Sequence, residues 1–189
     1  MKIILSWTAG IIAFVLYAPL LIGIFKNQIK QSFATWMLWV LLDVIALGSI
    51  IAQKGDNWTL LACYISGGTI VAVLLIYKKQ FRWTWIESAT VSLVFICIFL
   101  WLASGPKLAT IASTLAVCLS GIPQYVESRK EPDVNTGWIY LGYTLVNFLS
   151  FLAGKEWTIA DRFYYGMTTL LCVSIAYVAL QKKSVTTPL

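Results

Sequence analysis

Apolar residues come in runs of about twenty along this chain, parted by short stretches that hold most of the lysines, arginines and acids. Neither the alternation of a half-buried strand nor the 3.6-residue stripe of a soluble helix describes these runs. A helix that crosses a bilayer needs about 20 mostly apolar residues. The pattern predicts seven such helices, at 6–25, 33–53, 57–77, 84–104, 107–126, 137–154 and 157–180. The first run continues through Pro19 without a small-residue cleavage site, so it reads as a retained helix and not as a signal peptide. The connections are too short to hold a soluble domain. The expected fold is an all-α integral membrane protein.

Composition agrees with the pattern. Of 189 residues 59% are hydrophobic and 12% charged, where a soluble domain carries about 25% charged residues. There is no histidine, and Cys63, Cys97, Cys118 and Cys172 each fall inside an apolar run, where thiols act as small hydrophobes. No Cys/His spacing suits a metal. Hydrolytic triads, zinc chemistry and resident cofactors are therefore not expected, and the chain does not read as an enzyme. The net charge of +6 does not mark a nucleic-acid partner, because the basic residues sit in the short connections. Their placement sets topology instead. Lys2, Lys54, Lys107, Lys155 and Arg162 fall on the N-terminal side. Lys26, Lys30, Lys78, Lys79, Arg82, Arg129, Lys130, Lys182 and Lys183 fall on the other, nine against five. The N-terminus is thus expected outside and the C-terminus in the cytoplasm, with a bacterial inner membrane as the expected location.

An internal repeat organises the runs. A shift of 104 residues lays Pro19 on Pro123, Lys26 on Lys130, Trp36 on Tyr140, Trp39 on Tyr143 and Asp43 on Asn147. Further on a shift of 99 lays Trp58 on Trp157, Tyr64 on Phe163, Gly67 on Gly166 and Thr69 on Thr168. Residues 1–80 and 106–189 therefore read as two three-helix units, with 81–105 as a linker helix. The single intervening helix makes the two units parallel in the membrane. Transporters place their solute near the midplane between such units.

A layout of three, one and three helices, with a proline in the first helix of each repeat, resembles the PQ-loop superfamily. That group includes the SWEET sugar facilitators and the lysosomal cystine and cationic amino-acid exporters. The motif stands complete in the second copy, as Pro123-Gln124 within Ser120-Gly121-Ile122-Pro123-Gln124-Tyr125. The first copy reads Tyr17-Ala18-Pro19-Leu20, with Leu where the family has Gln. The resemblance implies transport by alternating access, with Pro19 and Pro123 as hinges. It does not carry a sugar with it: SWEET proteins hold sugar with an Asn on the third helix of each repeat, and here Tyr64 and Phe163 stand near that place. Nicotinamide-riboside importers share the layout as well.

The chemistry is expected on the second helix of each unit. Asp43 lies at the centre of 33–53, where a charge costs about 2.5–3.5 kcal/mol on insertion scales, so it should face a wet cavity or a partner. Trp36, Trp39 and Ala46 share its face, as Tyr140, Tyr143 and Ser150 share that of Asn147. The two stripes would wall a cavity for a small polar solute, such as an amino acid, a sugar or a nucleoside. Asp43 and Asn147 would orient the solute, and Tyr64 and Phe163 would stand beside it. Dry surroundings penalise a carboxylate's charge, so Asp43 could also load and release a proton. Proline inside a helix removes a backbone hydrogen bond, and Gln124 is expected to rebond the freed groups, which Leu20 cannot do. Glu87, Asp161 and Arg162 read as interface residues, and Trp58, Trp83, Trp85, Trp138 and Trp157 as belt anchors. Two repeats in one chain could form a pore alone, and a homo-oligomer is equally compatible with the sequence. A seven-helix receptor or assembly protein without transport is the competing expectation.

Overall fold

The computed structural model describes residues 2–27, 33–79 and 85–181. Lys30, Arg82, Trp83, Lys182 and Lys183, on which part of the charge count and the aromatic belt rest, lie outside them, as do the side chains of Trp85 and Glu87. Among the described residues the structure is helical, without strands. The helices are α1 (Lys2–Phe25), α2 (Phe33–Ala52), α3 (Thr59–Tyr77), α4 (Trp85–Ser104), α5 (Pro106–Ser120), α6 (Ile122–Lys130), α7 (Val134–Ala153) and α8 (Tyr164–Ala179). A π-helical turn, Ile159–Phe163, leads into α8.

Three helical stretches are long and apolar enough to cross a membrane: Lys2–Phe25, Thr59–Tyr77 and the combined Pro106–Lys130. At 1.5 Å per residue α1 is about 36 Å long, against a hydrocarbon core of about 30 Å. The apolar parts Trp36–Ala52 and Val91–Ser104 are shorter. Large apolar side chains such as Ile11, Phe14, Phe95, Phe99 and Leu102 point out of the molecule, a surface compatible with lipid.

The helix ends follow from local chemistry. Gly105 takes φ +84°, which a Cβ would oppose, and Pro106 opens α5 at a position that needs no N–H. Asp133 caps α7 by accepting from the Thr136 and Asn135 amides. At the other end of α7, Arg162 donates to the carbonyls of Phe151 (2.7 Å) and Gly154 (2.7 Å). The expected fifth helix, 107–126, is interrupted at Gly121, and its second part, α6, continues to Lys130. The last expected helix, 157–180, starts later: Thr158 is extended and caps the π-helical turn.

α3 lies against α1 and α2, and α8 lies against α5, α6 and α7. Across the molecule α1 packs on α7 and α2 on α5, while α4 rests on α2 and α5. The main core gathers Ala9, Leu42, Leu60, Val117, Val146 and Tyr164 where these helices meet. Close approach needs small residues: a Cβ on Gly67 of α3 would lie 2.4 Å from the Tyr17 ring of α1. The two seams differ in kind. Between α2 and α5, Ser49 Oγ and Thr110 Oγ1 are 2.8 Å apart. Gln53 donates there to Thr110 Oγ1 at 2.7 Å and to the Ser49 carbonyl at 3.0 Å. Between α1 and α7 the packing is of Leu16 over Gly142, and no described side-chain hydrogen bond joins these two helices.

Candidate functional site

Asp43 and Asn147 are both buried, 6% and 1% exposed, and each is held by a tyrosine from the opposite half of the chain. The Tyr164 hydroxyl of α8 donates to Asp43 Oδ1 at 2.5 Å. Asn147 of α7 donates through Nδ2 to the Tyr64 hydroxyl of α3 and to its own helix at the Tyr143 carbonyl, both at 2.8 Å. Thr168 Oγ1 contacts Asn147 Oδ1 at 2.7 Å and the Tyr164 carbonyl at 2.8 Å, so the two centres share one network. In the first pair the tyrosine hydroxyl donates and in the second it accepts. An ionised aspartate at 147 could not make the bond to the Tyr143 carbonyl, which requires a donor.

The tyrosine that bonds Asp43 is not the residue that the repeat shift lays on Tyr64. The shift of 99 couples Tyr64 with Phe163, yet the tyrosine that plays the same part in the second half is Tyr164, one residue later. The π-helical turn Ile159–Phe163 explains the step, because a π turn holds one residue more than an α turn. Phe163 is partly buried and makes no described ring contact with the other aromatic residues.

The aromatic stripes do meet. Trp36 and Trp39 are edge-to-face at 5.2 Å, Tyr17 stands 6.0 Å from Trp36 and 6.3 Å from Tyr143, and Tyr64 and Tyr140 are each 6.0 Å from Tyr143. Trp39 Nε1 donates to Ser120 Oγ of α5 at 2.5 Å. Tyr17 is the residue that joins the two stripes, and its hydroxyl reaches the Tyr64 carbonyl at 3.3 Å. Sequence reasoning passed it over. Its signal was the pairing of a bulky ring two residues before Pro19 with Gly67 on the facing helix.

Toward the Lys2 end a second network closes the centre. Asn57 Nδ2 donates to the carbonyls of Ser150 (2.7 Å) and Asp161 (2.9 Å), and Tyr165 donates to the Asn57 carbonyl. The Asp161 carboxylate accepts the Lys155 and Glu156 amides, each at 3.0 Å. Asp161 is thus buried, and Arg162 is engaged with carbonyls at the end of α7. Above Asn57 opens a cavity of about 250 Å³, lined among others by Lys2, Ser6, Trp7, Asp56, Trp58 and Lys155. Lys155 pairs with Asp56 there, and this hydrogen-bonded carboxylate raises the lysine above its ordinary range.

The two prolines differ. α1 runs through Pro19, whereas Pro123 falls just after the break at Gly121. Gln124 does not rebond the backbone freed by Pro123; its Nε2 donates to Ser128 Oγ at 3.0 Å. All four cysteines are free thiols. Among the described residues no three His, Cys, Asp or Glu side chains gather as a metal would need. Compared with protein-family models, with curated proteins and with solved structures, the chain matches none.

Proposed function

We propose that the chain is a secondary transporter or facilitator that moves a small polar solute by alternating access between two three-helix repeats. In this reading α1, α2, α3, α4, α5–α6, α7 and α8 with its π turn are seven spans, α4 is the linker, and the Lys2 end faces outward from a bacterial inner membrane. The layout then resembles that of the PQ-loop superfamily.

The observation that carries the reading is the exchanged pairing at the centre. Asp43 is bonded by Tyr164 and Asn147 by Tyr64, so each repeat supplies the polar residue of one pair and the tyrosine of the other. A receptor or an assembly protein has no need of matched polar pairs buried across a repeat boundary, whereas a solute path between repeats does. The packing of α1 on α7 and α2 on α5 supports the same relation, because the shift of 104 exchanges the two contacts. Trp36, Trp39, Tyr17, Tyr140 and Tyr143 wall the side toward Pro19, with Asn57 on the other side.

The test is counterflow in liposomes of labelled sugars, amino acids and ribonucleosides, with and without a pH gradient. Saturable exchange of one class is expected. Accumulation driven by the gradient and lost in Asp43→Asn would make protons the coupling ion; exchange indifferent to both would make the protein a facilitator. Silence across the panel from folded protein favours the receptor or assembly reading.

A further inference from the structure

Ser150 lies on α7 one turn beyond Asn147 and is fully buried. Its hydroxyl is the one buried side-chain nitrogen or oxygen, among the described residues, that has no hydrogen-bond partner. A hydroxyl left this way costs about 1–3 kcal/mol, and Ala46, its mate in the first repeat, carries no such group. The surroundings suggest the reason. The Ser150 carbonyl accepts from Asn57 at 2.7 Å, and Asn57 is itself in the lining of the open cavity, as is Ala153 one turn further along α7. Ser150 therefore stands between that cavity and Asn147, with the Asn57 carboxamide across the way.

We propose that the Ser150 hydroxyl is a binding group on the path from the cavity to the Asp43–Asn147 centre, filled by an uncharged hydrogen-bonding part of the solute, and that Asn57 is the side chain that shuts it off. The chemistry of the neighbours sets the class of ligand. Asn57, Asn147, Ser6 and Tyr165 are neutral. The Asp161 carboxylate is turned toward the amides of Lys155 and Glu156, and that of Asp43 is bonded by Tyr164. The position suits a hydroxyl or a carboxamide and gives a full charge no counter-ion.

The proposal rests on the transport reading, and its test separates the two. Counterflow of labelled glucose, glutamine and uridine is measured for the wild type and for Ser150→Ala. Losing one hydrogen bond to solute raises KM about fivefold, and the unfolding midpoint should stay or rise because an unpartnered hydroxyl has been removed. An unchanged KM overturns the proposal, and so does a lowered midpoint, which would mean that the hydroxyl has a structural partner. In a second arm, Ser150→Cys is placed in a chain freed of its four cysteines. It is labelled from outside with 2-(trimethylammonium)ethyl methanethiosulfonate. Adding Asn57→Ala removes the three hydrogen bonds of that side chain, from Ser6 Oγ and to the Ser150 and Asp161 carbonyls, and should speed labelling about tenfold or more; equal rates overturn the role of Asn57. A wild type that exchanges none of the three solutes sinks the transport reading alone, and the labelling then decides whether Ser150 lies behind Asn57.

Discussion

Tyr164 and Asp43 come from opposite ends of the sequence, 121 residues apart, and meet at 2.5 Å in the middle of the molecule. The pair joins α2 to α8 and leaves the carboxyl group with a single donor of known position. Removing that donor isolates a buried polar group, so Tyr164→Phe should cost about 1–3 kcal/mol. Tyr64→Phe should cost less, because Asn147 keeps the Tyr143 carbonyl and Thr168. Thermal unfolding in detergent would rank the two, and a reversed order would contradict the assigned partners. A double cycle with Asp43→Asn should return a coupling of about 0.5–3 kcal/mol.

Gly67 sets the position of Tyr17. An added Cβ would fall 2.4 Å from two atoms of that ring, which must then move together with its contacts to Trp36 and Tyr143. Gly67→Ala is expected to destabilise by about 1–3 kcal/mol, as overpacking of a tight core does. Tyr17→Leu should relieve much of that loss. Rescue measured by the unfolding midpoint checks the claim; additive losses would refute it.

Arg162 and Lys155 are neighbouring cations with unlike weight. The guanidinium satisfies two carbonyls at the end of α7 and a third at Glu156 (3.0 Å), with its face 4.3 Å from the Trp157 ring centre. A lysine cannot match that fork, so Arg162→Lys should lose about 1.5–3 kcal/mol. The Lys155–Asp56 pair is exposed on both sides, and pairs of that kind contribute little. Asp56→Ala should leave the midpoint where it is.

Asp133 gives a pH dependence with a definite sign. Bonds from the Thr136 side chain and amide hold its carboxyl below the ordinary range. A depressed value in the folded state means that the cap is at full strength above the ordinary carboxyl value, about 3.9, and is lost as pH falls through the folded one. Amide exchange at Thr136 should therefore quicken on acidification, relative to distant helix amides. Asp133→Asn, which caps without titrating, should flatten that response; an unchanged profile would argue against the cap.

Much of this architecture was legible in the sequence because hydropathy and length are enough to place helices. Thus 33–53 became Phe33–Ala52 and 84–104 became Trp85–Ser104. Partners were harder. Asp43 announced itself as a buried charge, but nothing in the pattern named Tyr164, since a tyrosine in an apolar run has the composition of core. The shift of 99 did not point to Tyr164, which follows a turn whose π hydrogen bonding leaves no compositional mark. Asn57 was only the first residue of the expected helix 57–77, and its weight lies in carbonyl contacts that sequence does not encode. Gln124 was misread for a related reason: the rule for proline concerns backbone, while Ser128 offered a side-chain acceptor one turn away.

The Ser49–Gln53–Thr110 network stitches α2 to α5 directly, whereas α1 and α7 are tied through intermediaries, Tyr64 of α3 on Asn147 and Asn57 on the Ser150 carbonyl. In the bilayer of the proposed reading, hydrocarbon has no water to take up an amide or hydroxyl that lets go, so bonds between α2 and α5 would resist sliding in a way that Leu16 against Gly142 does not. Solubilisation or heat should therefore part α1 from α7 while α2 still clasps α5, which makes the first step of coming apart a swing and not a scattering of helices.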